Sequence, residues 1–165
     1  MTIRPFIPWP DQRLRTAVPE VSEITDEIRT IWADMVETMD AMPGVGLAGP
    51  QIGVMMQVAV VDATPDRSRR LLFANPSIIN ASSEMELGEE GSPNLPGVST
   101  KIKRPKAVTI RFLNEHGMID RRDFEGLEAR SIQHQIDHLN GRMYFDNLSK
   151  VKRDMLLRKA RKASS

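Results

Sequence analysis

Between Ile24 and Met39 the apolar residues Ile24, Ile28, Ile31, Met35, Val36 and Met39 recur at spacings of three and four. Only a helix gathers that spacing onto one face, so the segment must fold as a helix and find a surface to cover its stripe. Asp26 and Glu27 suit the first turn, where acidic side chains meet the positive end of the helix dipole, and Pro43 stops the run. The covering surface is a set of strands. Val54 to Val61 is rich in β-branched residues, Leu71 to Phe73 and Ile78-Ile79 read as two short strands, and Ala107 to Leu113 alternates. Asn114-Glu-His-Gly117 reads as a hairpin turn with a return strand through Phe124, and His116 is expected exposed within it. Glu84 to Gly97 reads as an acidic loop, and the proline-rich first ten residues as an extended arm.

A second helix is predicted from about Leu127 to Leu139, with Ile132, Ile136 and Leu139 as its core face and Gly141 as its C-terminal cap. The segment 149–162 is helical in pattern, with Val151, Met155, Leu156 and Ala160 on one side. The order helix, strands, helix, helix predicts an α+β fold with mixed or antiparallel sheets, and 165 residues with a hydrophobic fraction of 40% suffice for a single domain over 1–165. A net charge of +1 argues against a DNA-binding domain. No apolar run of about 18 residues spans a membrane, and no secretory leader is evident, so the expected location is cytoplasmic. Cysteine is absent, which removes disulfides, thiol nucleophiles and thiolate ligands together.

The chemistry-bearing pattern is His134-x-x-x-His138 on the second helix. Residues at i and i+4 share a face, so both imidazoles can reach one ion. The competing reading is two structural histidines, and spacing alone does not separate the two. In the zinc-peptidase pattern the residue after the first histidine is a glutamate base; here it is Gln135, an amide that accepts no proton at neutral pH.

Three ordered blocks sharpen this: Gly44-Val-Gly-Leu-Ala-Gly-Pro-Gln51, Glu90-Gly-Ser-Pro-Asn-Leu-Pro-Gly97 and Gln133-His-Gln-Ile-Asp-His-Leu-Asn-Gly141. They resemble the signature motifs of the peptide deformylases, and the resemblance covers roughly residues 5 to 150. It implies an α+β fold built around the His-x-x-x-His helix and removal of the formyl group from the N-terminal methionine of nascent chains. It also implies a divalent metal, usually Fe(II) and exchangeable for Ni or Zn, held by two histidines that match His134 and His138. Gln51 matches a glutamine that stabilises the oxyanion, Val45, Gly46 and Gly91 match the peptide-binding backbone, and Glu90 with Arg104 matches a structural ion pair. A basic last helix resembles the ribosome-docking helix of some members, although a charge run is more often a solvated face.

The chain departs from the family at the reacting groups. The cysteine ligand falls at Ser92, a poor ligand for soft metals. A leucine whose N–H faces the oxyanion falls at Pro93, which has none. The glutamate base falls at Gln135, and Asn94 and Gly49 replace a serine and an alanine. From these losses the sequence predicts a pseudoenzyme: a degenerate site holding no metal or a weakly bound one at His134, His138 and Ser92, lacking deformylase activity and binding peptide N-termini or the ribosome. The alternative is an altered hydrolase using His134, His138 and either Ser92 or a carboxylate from Glu89 or Glu90.

Overall fold

In the computed structural model, which describes residues 2–164, Thr25 opens the first helix. Its hydroxyl accepts from the Ile28 N–H at 3.2 Å, and α1 runs over Asp26–Ala41. Strands β1 (Gly46–Ala48), β2 (Val58–Val61), β3 (Leu71–Ala81), β6 (Ala107–Leu113) and β7 (Ile119–Glu125) form one antiparallel sheet in the order β1-β2-β3-β6-β7. Strands β4 (Met85–Ser92) and β5 (Leu95–Pro105) make a separate two-stranded hairpin. Helix α2 (Gly126–Leu139) follows β7 directly, and α3 (Lys150–Ala163) closes the chain.

The sheet is covered on both faces. Val58 and Val60 of β2 pack with Ile31, Trp32, Met35 and Met39 of α1, while Ala59 and Val61 turn the other way onto Ile132 and Ile136 of α2. Side chains alternate along a strand, so a strand buried on both faces must be apolar throughout, as β2 is. A third cluster, with Leu14, Ile102, Tyr144, Phe145, Leu156 and Ala160, fixes α3 against β5. The fold is that of an α+β protein with α2 at its centre.

Three expectations change. The acidic loop at Glu84 to Gly97 is instead the β4–β5 hairpin, turning at Pro93-Asn94. The acidic strand becomes a strand because β5 sets Lys101 opposite Glu89 and Arg104 opposite Glu86. The two short strands are one, β3, bent where the register to β6 shifts and where Asn75 takes a φ of 50°. In α3 only Leu156 and Ala160 of the predicted apolar side are buried; Val151 and Met155 are exposed.

Candidate active site

Helix α2 carries most of the site. Arg130, Ser131, His134, Gln135 and His138 are all buried on it, and the two imidazole centroids lie 5.0 Å apart. The helix can approach the sheet this closely because position 46 is glycine: a Cβ there would stand 2.4 Å from both Gln135 Nε2 and Ser131 Oγ. Ser131 Oγ donates to Val45 O at 3.0 Å and ties the helix to the start of β1.

Glu90, on β4, organises one side. Its Oε2 accepts from Arg104 Nε at 2.6 Å and Arg130 Nη1 at 2.7 Å; its Oε1 accepts from Arg104 Nη2 at 2.9 Å and faces His134 Nδ1 at 2.8 Å. Burial alone would raise this carboxyl, but the hydrogen bonds from Arg104 and His134 and the Arg104 charge outweigh it and hold the pKa at about 2. An ionised carboxylate requires the proton on His134 Nδ1, so in the neutral ring the lone pair sits on Nε2. Glu90 is thereby spent, and Glu89 is exposed and accepts from Ser99 Oγ at 2.9 Å. Glu90 is therefore not free to be the carboxylate ligand that one form of the altered-hydrolase reading offered, and among the described residues Glu89 forms no metal-binding group with the histidines.

His138 is the opposite case. It is 1% exposed, and neither ring nitrogen has a hydrogen-bond partner within the protein. Burial, the neighbouring His134 and the Arg104 charge push its pKa well below the ordinary value, so the ring is neutral. Gln135 Oε1 is likewise buried without a donor, while its Nε2 makes only a long 3.4 Å contact to Ser131 Oγ.

The third wall comes from the turn of the β4–β5 hairpin. Gln51 is clamped in one orientation: Oε1 accepts from Ala48 N at 2.9 Å, and Nε2 donates to Asn94 Oδ1 at 2.8 Å and reaches Ser92 Oγ at 3.4 Å. Ser92 Oγ donates to Asn94 Oδ1 at 3.0 Å, and Asn94 Nδ2 donates to Ile7 O at 2.7 Å and Gln51 O at 3.0 Å. Asn94, which sequence reasoning treated only as a substitution, joins the N-terminal arm to this wall.

These elements enclose an open cleft of about 340 Å³ lined by Val45, Gly46, Gln51, Gly91, Ser92, Pro93, His134 and Gln135 among others. His138 lies behind His134 and does not line it. Arg130, Ser131 and Leu127 also line the cleft and were not named as site residues from the sequence; their signal was their helical spacing of four, three and seven before His134.

The polypeptide deformylase family model matches residues 3–154. The chain belongs to the peptide deformylase family. Among its relatives, the peptide deformylases of Rhodopseudomonas palustris (strain TIE-1) and Rhizobium meliloti (strain 1021) are 42% and 40% identical over 99% of this chain and 96% and 95% of their own lengths. A crystal structure of a peptide deformylase from Legionella pneumophila, 37% identical, covers 98% of this chain and 95% of its own with a TM-score of 0.91.

These likenesses overturn the expectation of a pseudoenzyme. Relatives that carry the deformylase name match nearly end to end, and nothing in the structure marks the cleft as lost: it is open, and Ser92 and Gln135 stay in it as polar groups. The findings point to an enzyme.

Peptide deformylases use a divalent metal, and the residues here fit one. Two neighbouring imidazoles, one oriented by a carboxylate and one neutral with both nitrogens unpartnered, are a ligand pair whose buried polar atoms otherwise cost about 1–3 kcal/mol unsatisfied. Among the described residues no group of three or more His, Asp or Glu side chains can hold an ion. An ion held by the two histidines would need its further ligands from outside that set. Among the described residues no helix is long and apolar enough to cross a membrane.

Proposed function

We propose that this chain is a working deformylase that hydrolyses the formyl group from N-formylated peptide N-termini. The observation that carries the reading is His138, a buried imidazole with both nitrogens unspent, its ring centroid 5.0 Å from that of His134, which lines an open cleft. His134 and His138 would hold a divalent ion (Fe(II), Ni or Zn), with Ser92 as a candidate weak third ligand; when bound, such an ion would supply Lewis-acid chemistry, lowering the pKa of a water and polarising the formyl carbonyl.

The chain's own groups do the rest. Glu90 fixes the His134 tautomer. Gln51 Nε2, its amide orientation set by Ala48 N–H and Asn94, has an N–H directed along the long contact to Ser92 and available to the developing oxyanion. Gln135 Oε1 accepts a hydrogen bond from the attacking water and orients it; an amide keeps no proton. The carbonyl carbon gains the water oxygen and loses the peptide nitrogen, both water protons end on that nitrogen, and formate and the protonated amine leave. Backbone at Val45, Gly46 and Gly91 holds the peptide extended.

The reading includes a cytoplasmic place of work, where formylated chains are made, and a partner. The helix α3 exposes Lys150, Lys152, Arg158 and Lys159 beside Val151 and Met155, a basic and apolar face suited to the ribosome surface. Salt-sensitive co-sedimentation with ribosomes, lost on K152E/K159E, supports that partner; co-sedimentation unchanged by the pair contradicts it.

The test of activity is formate release from formyl-Met-Ala-Ser and from formyl peptides with other first residues, on anaerobic protein reconstituted with Fe(II), Ni(II) or Zn(II). Formate appearing with an equal amount of free amine supports the reading. Metal-loaded protein that releases formate from none of these peptides overturns it.

A further inference from the structure

Gly141 ends α2 with a φ of 74° and no room for a side chain: a Cβ there would stand 2.8 Å from Arg15 O and 2.9 Å from Ala17 N. The chain reverses here, and Tyr144 returns to the level of His134. A short helical turn, Tyr144–Asn147, fixes the return. Asp146 sets that turn: its Oδ2 accepts from Met143 N at 2.9 Å and its Oδ1 from Arg15 Nη2 at 3.1 Å. Tyr144 is fully buried, packed with Leu14, Leu95, Ile102 and Met143, and meets the Phe145 ring edge-on at 5.6 Å between centroids. Its own ring lies on His134, 5.8 Å between centroids and 14° from parallel.

One hydrogen bond does not fix an imidazole. Glu90 Oε1 meets His134 Nδ1 at 2.8 Å and anchors a single ring atom. The last torsion of a histidine side chain is broad, so the plane can still swing about that contact. The Nε2 lone pair lies in the ring plane, and a swing carries it off a bound ion. His138 touches the same ring at 5.0 Å but tilted by 59°, so it does not set the plane; the nearly parallel Tyr144 does. The Tyr144 hydroxyl has no part in this. It is buried without a hydrogen-bond partner, and burial together with the Glu90 charge pushes the phenol up to about 12, so the group stays neutral. Tyr144 does not line the cleft, and whatever it does for the site it does through His134.

We propose that Tyr144 is a positioning residue for the histidine pair: its ring, stacked on His134, fixes the imidazole plane and with it the direction of the Nε2 lone pair. The proposal rests on the reading of His134 and His138 as the residues that hold the ion, and names what orients the first of them. Glu90 and Tyr144 divide the work, one holding an edge of the ring and the other its face. Outer contacts of this kind tune a metal site without touching the metal.

The experiment loads the full chain with Co(II), whose visible absorption reports the geometry of its ligands, and follows Zn(II) loss to a chelator. Y144L removes the ring, Y144F removes only the hydroxyl, and F145L removes the neighbouring ring, which makes no ring contact with either histidine. Expected is an altered Co(II) spectrum and Zn(II) loss at least about 10-fold faster in Y144L, with Y144F and F145L within about 2-fold of the wild-type chain. A role in packing alone would lower the unfolding temperature of Y144L and F145L alike and leave both spectra unchanged. A Y144L chain that matches the wild type in spectrum and Zn(II) loss, or an equal change in F145L, overturns the proposal. So does a change in Y144F as large as in Y144L, which would assign the effect to the hydroxyl. In the metal-free chain, NMR follows solvent exchange of the His134 Nδ1–H that faces Glu90. Faster exchange in Y144L than in Y144F and F145L supports the proposal, and equal rates overturn it. That arm needs no metal, so a wild-type chain that retains neither Co(II) nor Zn(II) sinks the metal reading while the exchange rates still decide on Tyr144. Should Y144L not fold, Y144M, a flexible apolar filling without a ring, takes its place.

Discussion

The two sides of the buried site are built on opposite rules. Around Glu90 the charged groups are paired: Arg104, Arg130 and His134 all converge on one carboxylate, and Arg104 Nη1 reaches on to Asp137 at 3.0 Å. Around His138, a few residues along the same helix, both ring nitrogens and Gln135 Oε1 are buried without partners. Buried polar groups are nearly always satisfied, so the complete side is scaffold and the incomplete side is where something outside the chain must bind. The comparison teaches that the polar groups left without partners, not the paired ones, mark where the site is open to a ligand.

Breaking the complete side has the largest expected effect on stability. Glu90→Gln strands Arg104 and Arg130 in the interior and is expected to cost about 3–5 kcal/mol in urea unfolding. The same pairing predicts a pH dependence. Glu90's folded pKa of about 2 lies below the ordinary 4.5. The stabilisation is therefore complete above about pH 4.5 and is lost as pH falls toward 2. Unfolding of the wild-type chain followed over that window should show the loss, and Glu90→Gln should flatten it.

Sharpening the incomplete side has the next largest effect. Gln135→Glu places a proton acceptor where the orphaned Oε1 now lies, and kcat is expected to rise by about 10²-fold, with a new acidic limb in its pH profile. Ser92→Cys supplies a thiolate beside the two imidazoles; retention of Zn(II) against a chelator is expected to lengthen at least about 10-fold. Smaller again is Gly46→Ala, whose Cβ would push on Gln135 and Ser131. A stability loss of about 1–3 kcal/mol is expected from thermal unfolding, with weaker peptide binding.

Much of this was legible in the sequence. The stripe from Ile28 to Met39, the β-branched run ending at Val61 and the His134/His138 face follow from spacing alone, and the three ordered blocks named the family. The β4–β5 hairpin was hidden because Glu86, Glu89 and Gly88 read as a loop until Lys101, Arg104 and Arg130 are brought opposite them. Asn94 was hidden because its partners, Ile7 and Gln51, are far along the chain. The inference of lost activity failed for a related reason. It scored Ser92, Pro93 and Gln135 as absent groups, whereas the cleft keeps Ser92 and Gln135 as polar lining together with His134, whose ring Glu90 orients.

The central claim is that the unsatisfied pair is the working part of the molecule. Its most direct test counts metal per chain and formate released in the same anaerobic sample, for the wild-type chain and for His138→Ala. The account predicts about one metal and sustained formate release in the wild-type chain. It predicts neither in the variant, which stays folded: the cavity left by the ring costs about 2–4 kcal/mol, offset in part because two unpartnered buried nitrogens go with it. Formate release that persists in His138→Ala, or a metal-loaded wild-type chain that releases none, would contradict it.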